Sequence, residues 1–518
     1  MILLLPVLLL LAGIVLLGLF RRSSGFYLWL IALGCVFVAW LSLLLSSGGQ
    51  AEPLDLSAWR PEPLFSAELV LRLGKTTWEA VYGGMALLMS IVLTAPARDG
   101  GERATDWAIL LAYGSIGLLA MMAGNLLTLS LLLIVLDIGT LVFVLRRTDT
   151  AAGGQQAVLR LGVESIGVLF LLTAGLVSTL GRGGGELTER EAAALSVMLG
   201  LGAILRLGVI PLPMGMPGNA PFRRSIGALM RMLPPAILIV QLGPLWSGGG
   251  PAGFQIGLMV IGATTLITAG VAWAFASDAL DGRAYFVACV AGLTLILGWA
   301  APGASAPMSA LAVLLLLGGG LASVAELHTP FHRIWPALLG VMVLGLPLTP
   351  SGVLLQGVAA GGGSPLASAL LGIGLGLLGA GIGVISLKPV TPWKRTEGYS
   401  RLLFGVGLGL FSAAALGFGL RQDLSFSPSM AVGIVAALVT AAIALLIRRR
   451  RLEGEVRRAE RLVGWLNASP LARAVWRVYR GVLGVAGSVG YALEGEGAFL
   501  WVLALVALVA ALLAGGAG

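Results

Sequence analysis

The chain has 518 residues, of which 58% are hydrophobic and 11% charged, and its mean hydropathy is +0.98. Soluble domains carry about 25% charged residues, so this composition excludes a string of soluble domains. Apolar runs long enough to cross a bilayer recur along the whole sequence, and backbone groups inside a bilayer must be satisfied within the segment itself. The composition therefore predicts an all-α polytopic membrane protein.

The predicted spans number about sixteen. The first apolar run, 1–20, has no basic residue before it and is followed by Arg21 and Arg22, so we interpret it as a retained span and not as a cleaved signal. In chain order the predicted spans are 1–20, 25–46, 77–95, 105–123, 125–145, 158–180, 191–212, 224–245, 252–276, 284–301, 307–326, 335–358, 365–387, 401–420, 428–447 and 498–516.

The distribution of basic residues predicts the orientation of these spans. With the N-terminus outside, 25 of the 33 Lys and Arg residues fall in inside loops and six in outside loops. Cytoplasmic loops of membrane proteins carry such an excess. We therefore predict a multi-pass protein of the bacterial inner membrane with its N-terminus outside.

The segment 448–490 departs from the pattern of short loops. Residues 448–480 hold ten Arg and three Glu, which supply most of the chain's net charge of +9. Apolar residues recur between the arginines at helical spacing, and Ser469-Pro470 is typical of a helix start. This predicts an amphipathic lateral helix on the inner membrane surface that binds anionic lipids over Arg448–Arg480, with no nucleic-acid partner. A solvated basic linker is the alternative interpretation.

Few residues in the spans can carry chemistry. Ionisable side chains at membrane depth are costly and are functional candidates by default. Glu79 is a further candidate near a span end. The predicted proton-path candidates are Asp137, Glu164, Arg206, Arg231, Glu326, His328 and Gln356. The two cysteines, Cys35 and Cys289, lie in apolar spans, and the only histidines are His328 and His332, so we expect no metal site, no bound cofactor and no catalytic residue.

Two spans contain helix breakers in mid-membrane. Span seven carries Pro211 and Pro213, and span twelve carries Pro347 and Pro350. Transporters place broken helices at matching positions of inverted repeats. Because these breaks lie five spans apart, they predict two inverted five-helix repeats. The predicted domain ranges are 1–104 for spans one to three, 105–245 and 252–387 for the two repeats, 388–447 for spans fourteen and fifteen, 448–490 for the lateral helix and 491–518 for the last span.

This plan resembles the antiporter-like membrane subunits of respiratory complex I (NADH–quinone oxidoreductase), a family shared with Mrp-type cation/proton antiporters. Local motifs agree with the resemblance. They are Asn125-Leu126-Leu127-Thr128-Leu129, Leu205-Arg206-Leu207-Gly208-Val209-Ile210-Pro211-Leu212, Asn219-Ala220-Pro221 and Gly345-Leu346-Pro347. The resemblance implies partner membrane subunits and proton or ion transport, with redox chemistry left to those partners.

The chain departs from the family at the residues that would move protons. The resemblance implies a glutamate in span five and lysines in spans seven, eight and twelve. Here those positions are Ile134 with Asp137 one turn later, Arg206, Arg231, and Leu355 or Gln356. A buried lysine can release a proton in the working range, whereas arginine stays charged. The sequence therefore predicts a degenerate relay.

Several functions remain open at this point. The first is a mainly structural subunit of a complex I-like NADH–quinone oxidoreductase, not catalytic alone, with altered or lost pumping. The second is a subunit that still conducts protons or cations through the acidic candidates. The third is a partner of a different assembly, such as an Mrp antiporter, a membrane hydrogenase or an inorganic-carbon uptake complex. A stand-alone secondary transporter is the fourth.

Overall fold

A computed structural model describes most of the chain as helix. The described residues are 4–45, 54–55, 70–95, 103–148, 151–180, 189–209, 220–246, 250–301, 303–361, 364–390, 398–422, 426–449 and 481. The helices are α1 (Leu5–Leu19), α2 (Gly25–Leu45), α3 (Lys75–Thr94), α4 (Ala104–Met121), α5 (Leu126–Arg147), α6 (Ala151–Leu180), α7 (Glu189–Arg206), α8 (Ala220–Arg224), α9 (Ile226–Leu245), α10 (Ala252–Ala274), α11 (Ala279–Ala300), α12 (Ser305–Val324), a 3₁₀ turn (Pro330–Arg333), α13 (Ile334–Met342), α14 (Pro350–Ala360), α15 (Pro365–Ser386), α16 (Gly398–Gly419) and α17 (Pro428–Arg449).

Twelve helices of the described residues are long and apolar enough to cross a membrane. Helix α1 is apolar but shorter, α7 begins with charged residues, and span twelve is divided between α13 and α14. Together these elements match the first fifteen predicted spans and confirm an all-α polytopic membrane fold. The last predicted span, 498–516, and nearly all of the predicted lateral helix lie outside the described residues.

Polar caps set where several helices begin. The Asn125 side chain accepts a hydrogen bond from the Thr128 amide at 2.8 Å and starts α5. Thr349 and Ser364 cap α14 and α15 in the same way, each followed by a proline at the first helical position. A side-chain oxygen at this position satisfies an amide that the helix leaves unpaired, and proline costs nothing there.

The core sits around α12, whose spanning window is fully buried, with α3 and α9 nearly so. Helices α2, α6 and α17 bury the smallest fractions of their spanning windows and present apolar faces outward. Tryptophans tie neighbouring helices together, since Trp29 Nε1 donates to the Val92 carbonyl at 2.9 Å and Trp273 Nε1 to the Leu378 carbonyl at 3.2 Å. Small residues let α15 and α17 touch through their backbones, as at Gly372, a packing mode typical of membrane helices.

The segment between α2 and α3 contributes two short strands, β1 (Leu54–Asp55) and β2 (Val70–Leu71), which pair antiparallel. Strand β2 then binds the turn between α4 and α5. The Gly124 amide donates to the Val70 carbonyl at 2.6 Å, and the Val70 amide donates to Thr128 Oγ1 at 3.1 Å. The start of α5, which leads to Asp137, is thereby fixed to the segment before α3.

Candidate proton-path residues

Asp137 and Arg206 form a buried ion pair between α5 and α7. Arg206 Nη2 donates to Asp137 Oδ1 at 2.8 Å, and Nη1 donates to the other carboxylate oxygen. The side chain of Arg206 is 1% exposed and that of Asp137 is 5% exposed. Arg206 is the last residue of α7, where the helix dipole favours a cation. Because both carboxylate oxygens contact the guanidinium, the pair has the bidentate geometry that holds the two groups most firmly.

A second ion pair lies on α6, beside the first. Arg160 Nε donates to Glu164 Oε1 at 2.7 Å, one helical turn apart. Arg206 Nη1 also approaches the Glu164 backbone carbonyl at 3.4 Å, which joins the two pairs. Sequence reasoning was wrong about Arg160, which it assigned to an inside loop. Helix α6 begins at Ala151 and not at 158, and this places Arg160 within the helix.

Two further arginines are buried nearby. Arg231 on α9 is 8% exposed. Arg283 on α11 is 2% exposed and donates to the Arg223 carbonyl at 2.6 Å and to Ser323 Oγ at 3.2 Å. The sequence analysis was also wrong about Arg283, because α11 begins at Ala279 and not at 284. Charge alone cannot separate a buried arginine in the first turns of a span from one in a loop.

Glu326 and His328 come together just after α12. His328 Nε2 lies 3.1 Å from Glu326 Oε2, and Arg224 pairs with the other Glu326 oxygen. His332, in the 3₁₀ turn that follows, packs on the Phe404 ring. Burial, together with the nearby His328 ring, lowers the pKa of His332 to about 4. Among the described residues these candidates form a cluster of their own, which is separate from the Asp137–Arg206 pair.

The break in span twelve is satisfied by hydroxyl groups. Ser351 Oγ donates to the Met342 carbonyl at 2.6 Å and accepts from the Gly345 amide at 3.2 Å. Thr349 Oγ1 donates to the Leu346 carbonyl at 2.6 Å. Gly345 and Leu348 both have positive φ, 87° and 63°. The break therefore lies between Met342 and Pro350, as Pro347 and Pro350 predicted.

The other predicted site residues are placed less centrally. Gln356 lies on α14 and is half-buried, next to fully buried Leu355. Pro211 and Pro213 lie outside the described residues, although α7 ends at Arg206 and Gly208 has a positive φ of 74°. Arg448, the first of the arginines predicted to bind lipid, lies in the last turn of α17 and donates to the Ala274 carbonyl at 2.7 Å.

Glu79 is a buried carboxylate that bridges distant helices. Its two oxygens accept from Ser309 Oγ of α12 at 2.6 Å and from Gln422 Nε2, after α16, at 2.5 Å. Its exposed fraction is 4%. The neighbouring Arg421 guanidinium stacks 4.2 Å from the Trp78 ring centre. No group of three or more His, Cys, Asp or Glu side chains that could hold a metal ion occurs among the residues that the structure describes.

Comparison with known proteins gives matches at the level of structure. No protein-family model matches the chain, and no curated protein matches its sequence. A chain of the Mrp complex from Dietzia sp. superimposes with a TM-score of 0.69 at 14% identity, over 100% of this chain and 63% of that chain. The protein thus spans about two thirds of the length of that neighbour.

Two respiratory assemblies give matches over the whole length of the matched chain. A chain of the membrane-bound sulfane sulfur reductase, an archaeal respiratory membrane complex, has a TM-score of 0.66 at 15% identity over 99% of this chain. A chain of respiratory complex I from Thermus thermophilus with bound NADH has a TM-score of 0.61 at 16% identity over 85% of this chain. The fold is that of an antiporter-like membrane subunit. At 14–16% identity the likeness concerns the fold alone.

Proposed function

We propose that this chain is an antiporter-like membrane subunit of a complex I-like NADH–quinone oxidoreductase, with a degenerate relay, altered or lost pumping and a mainly structural role. The observation that carries the proposal is the closed Asp137–Arg206 pair. Arginine keeps its proton at any physiological pH. A carboxylate held by both nitrogens of a buried guanidinium is poorly placed to accept and pass on a proton, because protonation would leave the arginine uncompensated.

The second half of the molecule supports the same proposal. The position that the resemblance assigns to a span-twelve lysine is occupied by buried Leu355 or by the neutral amide of Gln356. The break beside it is satisfied by Ser351 and Thr349. Hydroxyl and amide groups can orient water, but they do not carry a titrating charge at neutral pH. We therefore infer that no continuous chain of titrating side chains crosses both halves of the molecule.

We also propose a membrane location, an orientation and lipid contacts for the chain. We infer an inner-membrane protein with its N-terminus outside, since 23 of the 33 basic residues then lie in or beside inside loops even without Arg160 and Arg283. The domain ranges predicted above, including the two inverted five-helix units, belong to this proposal. Binding of anionic lipids is assigned to Arg448–Arg480, a segment that begins in the last turn of α17. Other membrane subunits are the expected partners.

A conducting subunit in another assembly is the alternative. The similarity to chains of an Mrp complex and of a sulfane sulfur reductase complex favours an assembly other than complex I. The contact between Glu326 and His328 favours conduction, because these groups can exchange a proton at 3.1 Å. In that case Asp137 and Glu164 would conduct beside fixed arginines.

Purification from the native membrane tests the assembly. A tagged chain should be isolated in mild detergent and its co-purifying proteins identified. Peripheral dehydrogenase subunits with sibling antiporter-like chains are expected. A hydrogenase, a soluble zinc protein or other antiporter subunits in their place would support the alternative, and recovery of the chain alone would contradict both.

Charge removal tests the loss of pumping. The double variant Asp137→Asn/Arg206→Gln removes the pair without leaving either charge unpaired. In the purified assembly reconstituted in liposomes, proton uptake per turnover should equal that of the wild type. A matched control, Asp106→Asn/Arg147→Gln, removes the pair between α4 and the end of α5. Loss of proton uptake in the first variant alone would contradict a structural role.

A further inference from the structure

The buried charges around α6 do not balance. Four guanidinium groups interact with one another or with the same acids, and in the part of the chain that the structure describes only Asp137 and Glu164 form ion pairs with them. Asp137 is taken by Arg206, and Glu164 is taken by Arg160. Among the described residues, this leaves Arg231 and Arg283 without a carboxylate partner.

Arg231 is the more isolated of the two. It makes no hydrogen bond or ion pair to any residue that the structure describes, although only 8% of it is exposed. The charged groups that act on it are Arg160, Glu164 and Arg283. The segment 210–219, which joins α7 to α8 in the chain, contains no Asp or Glu. Arg231 is therefore a nine-tenths buried cation whose surroundings are mainly cationic.

Arg283 is hydrogen-bonded but not neutralised. Both of its acceptors, the Arg223 carbonyl and Ser323 Oγ, are uncharged. The acid closest in sequence, Asp281, pairs with Arg223 at 2.7 Å and is 71% exposed. The hydrogen bonds fix the position of the guanidinium, and the Asp281 carboxylate acts on it only from an exposed position.

Such an arrangement is costly unless an anion completes it. Arginine does not escape burial by losing its proton, and an unpaired buried charge is strongly destabilising. Two like charges that act on each other add to that cost. We infer that a small monovalent inorganic anion binds beside Arg231. This anion site goes beyond the proposed function, because it requires neither transport nor a particular assembly.

Thermal unfolding in two salts tests the site. The full chain, purified in detergent, is heated in sodium gluconate and in sodium chloride at equal ionic strength. A ligand that binds only the folded state raises the unfolding temperature in proportion to the logarithm of its concentration above its Kd. We expect a saturable rise in Tm as chloride replaces gluconate.

Arg231→Met separates a specific site from a general salt effect. The variant should lose the chloride response, with at least a tenfold higher half-saturating concentration. In gluconate it should unfold at a higher temperature than the wild type, because the uncompensated charge is gone. Arg147→Met is the control, since Arg147 pairs with Asp106 at the end of α5, and it should respond to chloride as the wild type does.

Three results would overturn the inference. The first is a wild-type Tm that is the same in both salts. The second is a full chloride response in Arg231→Met. The third is a variant less stable than the wild type in both salts, which would mean that a carboxylate of the protein compensates Arg231. Arg231→Lys, which keeps the charge, should keep a chloride response even if Arg231→Met fails to fold. None of these results depends on proton transport, so the proposed function is tested separately.

Discussion

The two broken spans differ in the polar groups that lie beside the break. At the end of α7 a guanidinium and a carboxylate, Arg206 and Asp137, face each other in the interior. Between α13 and α14 the polar groups are the hydroxyls of Ser351 and Thr349, which bond to freed backbone groups. Backbone interruptions inside a membrane persist only where protein or water satisfies them. A buried charge pair thus lies at the end of α7, whereas the break between α13 and α14 is satisfied by neutral hydrogen bonds.

This difference indicates in which region a single substitution can leave a buried charge unpaired. Removing one partner in the first region leaves an ion buried, whereas removing one hydroxyl in the second leaves a neutral dipole unpaired. The penalties differ by severalfold. The predictions below test that contrast, beginning with the largest expected effect.

Asp137→Leu should be the most damaging single change. It leaves Arg206 buried without a counter-charge, and we expect a loss of about 3–5 kcal/mol in the free energy of unfolding. The double variant Asp137→Leu/Arg206→Leu should recover most of that loss. Thermal unfolding of the purified chain measures both. A single variant as stable as the wild type would mean that the pair is open to water.

Ser351→Ala should have an intermediate effect. It removes the donor to the Met342 carbonyl and the acceptor of the Gly345 amide, and we expect a loss of about 1–3 kcal/mol. Ser42→Ala is the control, because Ser42 Oγ bonds a carbonyl, that of Ala39, within the continuous helix α2. Equal melting temperatures for the two variants would show that the second break does not depend on its hydroxyl.

In the second region, the free energy of unfolding should also depend on pH, because His332, which precedes α13, binds a proton in the unfolded state first. The folded-state pKa of His332 is about 4, below its unfolded value of about 6.5. The unfolded chain therefore binds the proton first as pH falls. Stability is fully present above pH 6.5 and is lost as pH falls toward 4, by roughly 1–3 kcal/mol. His332→Gln should flatten the stability profile in this window, and an unchanged slope would contradict the assignment.

Leu348→Gly should give the smallest change, and a gain. Leu348 has a φ of 63° and is 43% exposed, so glycine relieves backbone strain and loses little buried area. After the entropic cost of glycine, a gain of about 0.5 kcal/mol remains. Leu338→Gly in α13 is the control and should instead lose about 1 kcal/mol. A loss in both variants would argue that Leu348 packs productively at the break.

The sequence predicted the fold better than the site. Apolar runs and basic loops placed fifteen spans because a bilayer fixes both span length and charge distribution. The Asp137–Arg206 contact was also foreseeable, because two opposite charges at membrane depth must find each other. Ends of spans were less certain, and this is why Arg160 and Arg283 were assigned to loops.

Contacts between distant helices could not be predicted from the sequence. Nothing in the composition near Glu79 identifies Gln422 as its partner, because helix order around the core is set by packing and not by local periodicity. The unpaired surroundings of Arg231 were hidden for the same reason. Such sites become visible only when the side chains on several helices are placed together.

The bond between Glu79 and Gln422 has a consequence for biosynthesis. The two residues are separated by 343 positions. At about 5–20 residues per second, the ribosome needs roughly 20–70 s to make Gln422 after Glu79 has been made. During that time one oxygen of an acid destined for the interior lacks its donor. A chain stalled before α16 thus keeps an incompletely satisfied carboxylate on α3, a feature by which membrane quality control can distinguish unfinished copies from completed ones.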